Sequence, residues 1–422
     1  MKKLSIICFN LILITYSNIC LSQDYWELVN SPDSIAIFDM DVDSEGRIYL
    51  ACPFSSGNLT GIFRSDDNCE TWQRMVEGMD TTFSPHTRSI TIDNNDNIIT
   101  GCNGQIYSSN DHGENWIEVY DSLASVFRVA EFGYDSIFLI GGGYANGIVR
   151  SGDKGLTWQP VLDFELFEPI YEEATTGICF GPNGIIYACS RTFVGGYGSV
   201  YKSEDLGMTW SVFFNDGYSQ FFSIAFDQEG RLLVGGVGLH RYDFRNGFWE
   251  FFSYNMVPFE ILVVLDSNIY LACDEASGGV GGVVFSDDIG ETYAILNSGM
   301  DYPDANDFAI DAIGRILVSG FSDRLYRSYD TLITGFRNFE AENKNIPFSC
   351  YPNPFKNSTS IISNIDKPTS LIIYSSVGNI IARTTLEAYG IYLLQETTLP
   401  SGLFIAVLIS GHSKFVIKIL HF

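Results

Sequence analysis

The chain is short of positive charge. It carries 24 lysine and arginine residues against 51 aspartate and glutamate residues, which gives a formal net charge of −27. A body this acidic repels the phosphates of nucleic acids and of anionic membranes. The excess of acid lies before residue 350, because residues 350–422 hold five basic and three acidic residues. The composition therefore argues against a nucleic-acid partner.

Ligands for a metal or a cofactor are also scarce. The five histidines are scattered and lack the spacing of a zinc site. Asp39, Asp41 and Asp43 alternate as in a calcium loop, but no glutamate follows at the distance that such a loop requires. The chain shows no phosphate-binding loop and no nucleophile-elbow serine. We therefore expect neither a metal nor a cofactor.

Cysteine is present in a pattern that does not suit disulfides. Of the nine cysteines, two lie within residues 1–22, which leaves an odd number in the rest of the chain. Cys52, Cys102, Cys189 and Cys273 each end a strand-like run at equivalent places in different repeats, so they are poorly placed to face one another. We expect buried free thiols that fill small spaces in the core.

Long apolar runs are confined to the N-terminus. A cationic start, Met1 to Lys3, precedes the apolar segment Leu4 to Tyr16, and Cys20-Leu21-Ser22 offers small residues before a cut. This order predicts a signal peptide over residues 1–22. The apolar run is too short to span a bilayer, so we expect no transmembrane span after cleavage.

Internal repetition is the strongest positive signal. Alternating β-branched and aromatic residues flank an Asp-x-x-Gly turn, in complete or looser form, seven times at intervals of roughly 40 to 50 residues. Aspartate bonds to the turn backbone and glycine takes the positive φ, so each copy predicts a β-hairpin. The copies begin at Val42, Ile92, Phe132, Phe180, Phe226, Val263 and Ile310.

A second motif, Ser-x-Asp-x-Gly-x-Thr-Trp, follows most of the hairpins. The carboxylate is suited to satisfy turn amides, the glycine to relieve strain and the tryptophan to pack on the sheet, so we expect a structural role. A weaker copy begins at Ser328. The five good copies are Ser65, Asp67 and Trp72; Ser109, Asp111, Gly113 and Trp116; Ser151, Asp153, Gly155 and Trp158; Ser203, Asp205, Gly207 and Trp210; and Ser286, Asp288 and Gly290.

This motif resembles the Asp-box of sialidases, sortilin-type receptors, xyloglucan hydrolases and photosystem assembly factors. The resemblance implies that each box is a turn between the third and fourth strands of a propeller blade, at the rim and far from the channel. With four strands in each of seven units, we expect an all-β chain with a seven-bladed β-propeller over residues 23–336. The last unit lacks an outer strand, and Tyr25 to Val29 has the pattern to supply it.

The C-terminal part has a different character. Residues 337–349 are polar and predict a linker, and strands near 359–365, 370–375, 379–386, 403–409 and 414–420 predict a small Ig-like β-sandwich over residues 350–422. The motifs Tyr351-Pro352-Asn353-Pro354-Phe355, Leu399 to Phe404 and Lys418 to Leu420, with the Gly378 turn, resemble the type A sorting domain of the type IX secretion system in Bacteroidetes, although that family usually has tyrosine at position 404. The resemblance implies that the secretion machinery is a partner, and that the protein is released or attached at the cell surface after passing the periplasm.

The tight turns share one face of the disc, so the irregular loops lie on the other, where binding residues are usually found. Aromatic rings and carboxylates suit a sugar or a peptide ligand. The candidate binding residues at the channel mouth are Phe54, Tyr144, Glu168, Tyr171, Glu172, Arg191, Phe193 and Tyr197.

Two functions remain open from the sequence. We favour a secreted or cell-surface binding module for a glycan or protein, and an extracellular glycoside hydrolase is the alternative. A sialidase would need three converging arginines, for which Arg88, Arg128 and Arg191 are available, but the Arg-Ile-Pro motif is absent and sialidases have six blades. Another glycosidase would need a carboxylate pair that no motif singles out. No catalytic residue is assigned.

Overall fold

A computed structural model describes residues 24–421 with internal gaps, and all structural statements below refer to the described residues. Strands dominate these residues, and they contain no α-helix, which confirms the all-β class. The gaps are 33–34, 56–58, 83, 122–124, 134–136, 145–146, 165–172, 182–183, 193–196, 228, 253–254, 265–267, 274–279, 332–347, 352–357, 364–366, 376–379, 396–401 and 411–412.

Thirty strands precede residue 332. They are β1 (Trp26–Val29), β2 (Ile35–Ala36), β3 (Asp39–Val42), β4 (Ile48–Cys52), β5 (Phe54–Ser55), β6 (Gly61–Ser65), β7 (Gln73–Met75), β8 (Thr87–Ile92), β9 (Ile98–Cys102), β10 (Gln105–Ser109), β11 (Ile117–Asp121), β12 (Ser125–Gly133), β13 (Ile137–Tyr144), β14 (Ile148–Ser151), β15 (Gln159–Leu162), β16 (Glu173–Phe180), β17 (Ile186–Thr192), β18 (Val200–Ser203), β19 (Ser211–Phe214), β20 (Ser223–Phe226), β21 (Leu232–Gly236), β22 (Gly238–Asp243), β23 (Phe248–Phe252), β24 (Pro258–Val264), β25 (Asn268–Cys273), β26 (Gly282–Ser286), β27 (Ala294–Ile295), β28 (Asp307–Ile310), β29 (Arg315–Ser319) and β30 (Leu325–Thr331).

Most of these strands form antiparallel sheets of four. Four sheets are made of strands close in sequence, namely β3-β4-β6-β7, β8-β9-β10-β11, β20-β21-β22-β23 and β24-β25-β26-β27. Strands β12 to β19 form two further sets of four, joined into one sheet by a single bridge between Gly143 and Ala174. Strands β2 and β5 make a separate short pair. Each set is built around one of the predicted hairpins.

The hairpin turns follow the predicted chemistry. Asp43 Oδ1 accepts the backbone N–H groups of Glu45 and Arg47, and its Oδ2 accepts the Arg47 Nε–H at 2.6 Å. Gly46 has a φ of 84°, which a side chain would strain. The same bonds recur at Asp227 with Arg231 and at Asp311 with Arg315. A carboxylate satisfied by backbone and guanidinium therefore holds these turns closed.

The Ser-x-Asp turns join the third and fourth strands of their sheets. Ser203 Oγ accepts the Gly207 N–H and donates to Asp205 Oδ1, while Thr209 donates from its N–H and its hydroxyl to the same carboxylate. These bonds, led by the Thr209 hydroxyl, lower the pKa of Asp205, so the aspartate is held ionised in a purely local network. The equivalent bonds occur at Ser65 and Asp67, Ser109 and Asp111, Ser151 and Asp153, and Ser286 and Asp288.

The two ends of this region meet in one sheet. Strand β1 pairs antiparallel with β30, with Trp26 opposite Ser328 and Val29 opposite Leu325, and the sheet order is β1-β30-β29-β28. Trp26 is buried at 1% exposure and its Nε1–H donates to the Leu296 carbonyl. The prediction that the first strand of the chain completes the last sheet of the repeat region is confirmed.

Seven strands follow residue 347, and they form two antiparallel sheets, β31-β32-β35 and β34-β33-β36-β37. The two sheets share a buried cluster that includes Ile361, Leu371 and Leu408. Strand β31 begins inside the expected linker 337–349, and β35 has no counterpart among the expected strands. The bounds are β31 (Phe348–Tyr351), β32 (Ser358–Ser363), β33 (Thr369–Ser375), β34 (Ile380–Leu386), β35 (Ile391–Gln395), β36 (Gly402–Ser410) and β37 (Ser413–His421).

The cysteines behave as expected where they are described. Cys52, Cys102, Cys189 and Cys273 are buried free thiols, and burial raises the pKa of each. Within the described ranges, no helix has the length and apolar character needed to cross a membrane.

We predict that Trp26→Ala lowers the free energy of unfolding by about 3 to 5 kcal/mol, because it opens a large cavity where the ends of the repeat region meet. Leu28→Ala on the same strand is the control. Its side chain is 49% exposed, and we expect a change within about 0.5 kcal/mol. Denaturant unfolding followed by circular dichroism measures both, and equal losses would contradict a closing role for β1.

Candidate functional site

The first strands of the sheets surround a cavity of about 350 Å³. Residues of β3, β8, β12, β16, β24 and β28 line it, and each of these strands is the first of its set of four. The volume lies in the range of small-ligand pockets. Five carboxylates face this cavity, those of Asp39, Asp41, Glu131, Glu260 and Asp307.

Three of the carboxylates occupy the same register position. Glu260 lies opposite Ala272, Asp307 opposite Ser319 and Asp39 opposite Ala51 in their hairpins. Each partner lies three residues after a buried isoleucine that opens the second half of its hairpin (Ile269, Ile316 and Ile48). The three side chains therefore stand at one level on the strands β24, β28 and β3. They interact electrostatically, since Glu260 and Asp39 both raise the pKa of Asp307.

Asp39 and Asp41 have a structural task as well. Asp39 Oδ2 accepts the Ile90 N–H at 2.8 Å, and Asp41 Oδ2 accepts the Ile92 N–H at 2.8 Å. Both donors lie on the free edge of β8, so the two carboxylates satisfy an edge that has no neighbouring strand. Their other oxygens accept backbone N–H groups of β3 itself.

All five carboxyl groups hold protons more tightly than usual. Burial raises the pKa of Asp41 and of Glu260 to about 7. Burial, together with neighbouring carboxylates, raises the pKa of Asp39, Glu131 and Asp307 well above its ordinary range. A carboxyl group of this kind can donate a proton near neutral pH, which is what a general acid requires.

Five phenylalanines form an arc beside the carboxylates. Successive ring centroids lie 5.6 Å apart for Phe54 and Phe38, 5.5 Å for Phe38 and Phe321, 5.2 Å for Phe321 and Phe259, and 4.9 Å for Phe259 and Phe222. The first three contacts are edge-to-face, which is a favourable geometry for aromatic pairs. Phe38, Phe222, Phe259 and Phe321 line the cavity itself. We call these five rings the phenylalanine arc.

Arginines stand at both ends of the phenylalanine arc. The Arg88 guanidinium lies 4.8 Å from the ring centroid of Phe54 and 5.4 Å from that of Phe38. The Arg191 guanidinium lies 5.2 Å from the ring centroid of Phe222. These are cation–π distances, so the rings already accept positive charge at two places.

The expected binding residues are only partly brought together. Arg191 lines the cavity and Phe54 belongs to the arc, whereas Tyr197 is fixed by backbone bonds to Thr192 and is not part of the lining. Tyr144 ends β13, and its side chain is outside the described set. Glu168, Tyr171, Glu172 and Phe193 lie outside the described residues. No residue of the Ser-x-Asp turns lines the cavity.

Sequence reasoning missed the carboxylates and most of the arc. The signal was present, because Asp39 and Glu260 lie on the first strand of their hairpins at the same distance before the turn, where other copies have Ser89, Val129 or Ser223. Charge on an inner strand has no place in a core and indicates a channel. Of the three arginines considered for a sialidase, Arg88 and Arg191 line the cavity at opposite ends of the arc, and the side chain of Arg128 is outside the described set.

The comparisons with known proteins address the fold. No family model matches the chain. Sortilin of Danio rerio is 27% identical over 214 residues, which is 48% of this chain and 24% of sortilin, so the chain spans about a quarter of that relative. A structure of YCF48 bound to D1 peptide superposes with a TM-score of 0.58 at 17% identity, covering 74% of this chain and 97% of YCF48.

The fold is a β-propeller. PorZ, a surface component of the type IX secretion system of Porphyromonas gingivalis, superposes with a TM-score of 0.56 at 13% identity over 93% of this chain and 60% of PorZ. The superposition therefore extends beyond residues 26–331, which contain strands β1 to β30. The cavity described above is then the central channel of the propeller.

We predict that Glu260→Gln raises the melting temperature at pH 8 and leaves it nearly unchanged at pH 4. The folded-state pKa of about 7 lies above the unfolded value of 4.5, so the stability contributed by the protonated group is complete below about 4.5 and is lost as pH rises through 7. The other four carboxyl groups that face the cavity also have raised pKa values, namely Asp39, Asp41, Glu131 and Asp307.

The expected gain at pH 8 is on the order of 1 kcal/mol, after allowance for the partial exposure of the side chain. Glu70→Gln, on an exposed turn outside the cavity, is the control and should leave the pH profile unaltered. Thermal unfolding between pH 4 and pH 8 measures the difference. Parallel profiles for the wild type and Glu260→Gln would show that burial does not perturb this carboxyl.

Proposed function

We propose that the chain is a seven-bladed β-propeller that acts as an exported binding module, with its ligand entering the channel at the phenylalanine arc. The observation that carries this proposal is the cavity with rings on its rim and charged groups within it. Rings offer a rigid apolar surface to a sugar or a peptide, and charged groups fix its orientation. The count of seven is supported by seven sets of four strands, the last completed by β1.

A peptide or a protein is supported as the ligand class by one neighbour of the same fold. The YCF48 structure contains a bound D1 peptide. The superposition covers 97% of YCF48 and 74% of this chain. A glycan remains compatible with the same rings. We therefore propose that the ligand is a protein or a glycan at the cell surface. A nucleic acid is not proposed, because its phosphates would be repelled by a channel that holds five carboxylates.

Export is proposed to depend on the C-terminal region. Residues 350–422 carry the motifs that resemble a type IX sorting domain, which we take to be Ig-like, and the described strands there form two packed sheets. PorZ, a component of that secretion system, is similar in fold over most of this chain. We propose that residues 1–22 are a signal peptide, that residues 337–349 include a linker, and that the protein is released or retained at the outer cell surface, as in Bacteroidetes.

The Ser-x-Asp turns are proposed to be Asp-boxes with a structural role.

We predict that Phe259→Ala lowers the affinity for ligands found on a peptide and glycan array at least tenfold, because it removes a central ring of the arc. The control is Phe248→Ala, which removes a ring of similar size from the outer strand β23, where it is 69% exposed. Binding is measured on the array hits. If both variants retain full affinity for every hit, the arc is not the binding site.

We predict that deletion of residues 350–422 leaves the protein in the periplasm of a host with the type IX machinery. Transfer of residues 350–422 to a periplasmic reporter should, conversely, carry the reporter out of the cell. Cell fractionation with immunodetection measures both. Circular dichroism of the shortened protein controls for folding, since β1 and β30 still close the sheet. Normal secretion of the shortened protein would refute the sorting role.

A glycoside hydrolase is the second candidate, and one observation favours it. Asp41 and Glu260 hold protons near neutral pH inside a cavity, as the acid of a glycosidase must. If the protein is an enzyme, array hits that are glycans should be cleaved, and Glu260→Gln should abolish cleavage while binding persists. A binding module leaves every hit intact over long incubation.

A further inference from the structure

The carboxylates of the channel take no part in the ion pairs of the described residues. None of the ion pairs among the described residues includes Asp39, Asp41, Glu131, Glu260 or Asp307. Against five acids, two arginines line the same space, and both stack on rings at its rim. Ionising several carboxyl groups in a confined space is costly, which is why their pKa values are raised, and a positive occupant offsets that cost.

Other buried aspartates in this fold are treated differently. Asp43, Asp227 and Asp311 are also buried, but each binds an arginine Nε at 2.6 to 2.7 Å in its own turn. Asp93, in the equivalent turn, is bound by the Asn97 side-chain amide instead. The three arginine-paired aspartates contrast with the channel carboxylates, which can take their cation from outside the chain.

Asp307 shows this most directly. The residue is 9% exposed and lines the cavity, and its Oδ2 atom is buried without a hydrogen-bond partner among the described residues. A buried carboxylate oxygen without a donor costs free energy that a ligand N–H would recover. Asp39, at the same level, already accepts backbone N–H groups with both oxygens. Asp41 does the same, and of the three carboxylates that remain, Asp307 and Glu260 share one level and can therefore bind the same group.

The spacing of the carboxylates suits an organic cation better than a metal ion. No group of three or more histidine, cysteine, aspartate or glutamate side chains is close enough to hold one metal ion in the described part of the chain. An ammonium or guanidinium group spreads its donors over a wider space and can reach separate carboxylates. It also suits the phenylalanine arc, whose ends already carry the guanidinium groups of Arg88 and Arg191.

We propose that the channel binds the cationic end of a lysine or arginine side chain of a peptide ligand, which passes Phe259 and pairs with Glu260 and Asp307. This inference rests on the proposed binding function and names its ligand chemistry. The long apolar stem of such a side chain lies along the rings while its charged end reaches the carboxylates. A charge-assisted pair with a carboxylate is the strong type of hydrogen bond, so each carboxylate should matter to affinity.

Isothermal titration of the full-length exported chain tests the proposal. The probes are blocked Gly-Lys-Gly and Gly-Arg-Gly tripeptides, the acetyl-lysine counterpart, 1,4-diaminobutane and calcium chloride. We expect the lysine or the arginine tripeptide to bind, and acetyl-lysine, which keeps the stem but lacks the charge, to bind at least tenfold more weakly. Calcium should neither bind nor compete. Equal binding of the acetyl-lysine peptide would overturn the proposal, as would displacement of the basic peptide by calcium.

The variants locate the site. Glu260→Gln and Asp307→Asn each keep the shape of the side chain and should weaken the basic tripeptide roughly tenfold, about the effect of one charge-assisted bond. Glu70→Gln removes an exposed carboxylate elsewhere and should have no effect. Circular dichroism confirms that each variant is folded. Unchanged affinity in both channel variants would refute the assignment. Diaminobutane binding as tightly as the tripeptides would identify a free amine rather than a peptide as the source of the cation.

This result is separable from the proposed function. If array hits are neutral or acidic and lose affinity with Phe259→Ala, the binding module stands and the cation proposal fails. If no ligand of any charge depends on Phe259, both fail. Basic peptides that depend on Phe259, Glu260 and Asp307 together support both.

Discussion

The pairing of β1 with β30 is the constraint on which the rest of the propeller depends. A ring of sheets built from consecutive hairpins leaves the last sheet one strand short, and its open edge would expose backbone donors and acceptors. Strand β1 fills this place from the other end of the chain and buries Trp26 in the core of that sheet. Closure brings β28 next to β3, where the Asn306 side chain donates to the Phe38 carbonyl.

Closure also creates the channel as a chemical site. Glu260, Asp307 and Asp39 belong to strands from the end and the start of the repeat region, and they share one level only because the ring is closed. Asp39 and Asp41 serve the fold by satisfying the edge of β8, while Asp307 lines the channel with one buried oxygen that has no hydrogen-bond partner among the described residues. The same type of residue thus stabilises the scaffold on one strand and is available to a ligand on another.

The turns of the scaffold and the channel differ in the range of the interactions that stabilise them. The turns are local networks, in which a carboxylate bonds to residues two to four positions away and often to an arginine. Such networks tolerate changes elsewhere in the chain. The channel depends on charges that belong to distant strands and that raise one another's pKa values, so it gains from a bound cation and responds to pH. A rigid rim with an electrostatically unsatisfied centre is the arrangement expected of a binding site.

Four features were predictable from the sequence, namely the hairpins, the Ser-x-Asp turns, the free thiols and the pairing of the first strand. The first three depend on residues a few positions apart. The fourth follows because the last repeat is one strand short and the first segment of the chain has the pattern of the strand it lacks. The C-terminal strands were predictable to within a few residues, except β31, which begins in the expected linker, and β35, whose Ile391 to Gln395 alternates weakly. The channel was not predictable in this way. Which residues of seven inner strands face one another depends on register and on closure, and only the tertiary structure brings Phe259, Phe321 and Phe38 into one arc above Glu260 and Asp307.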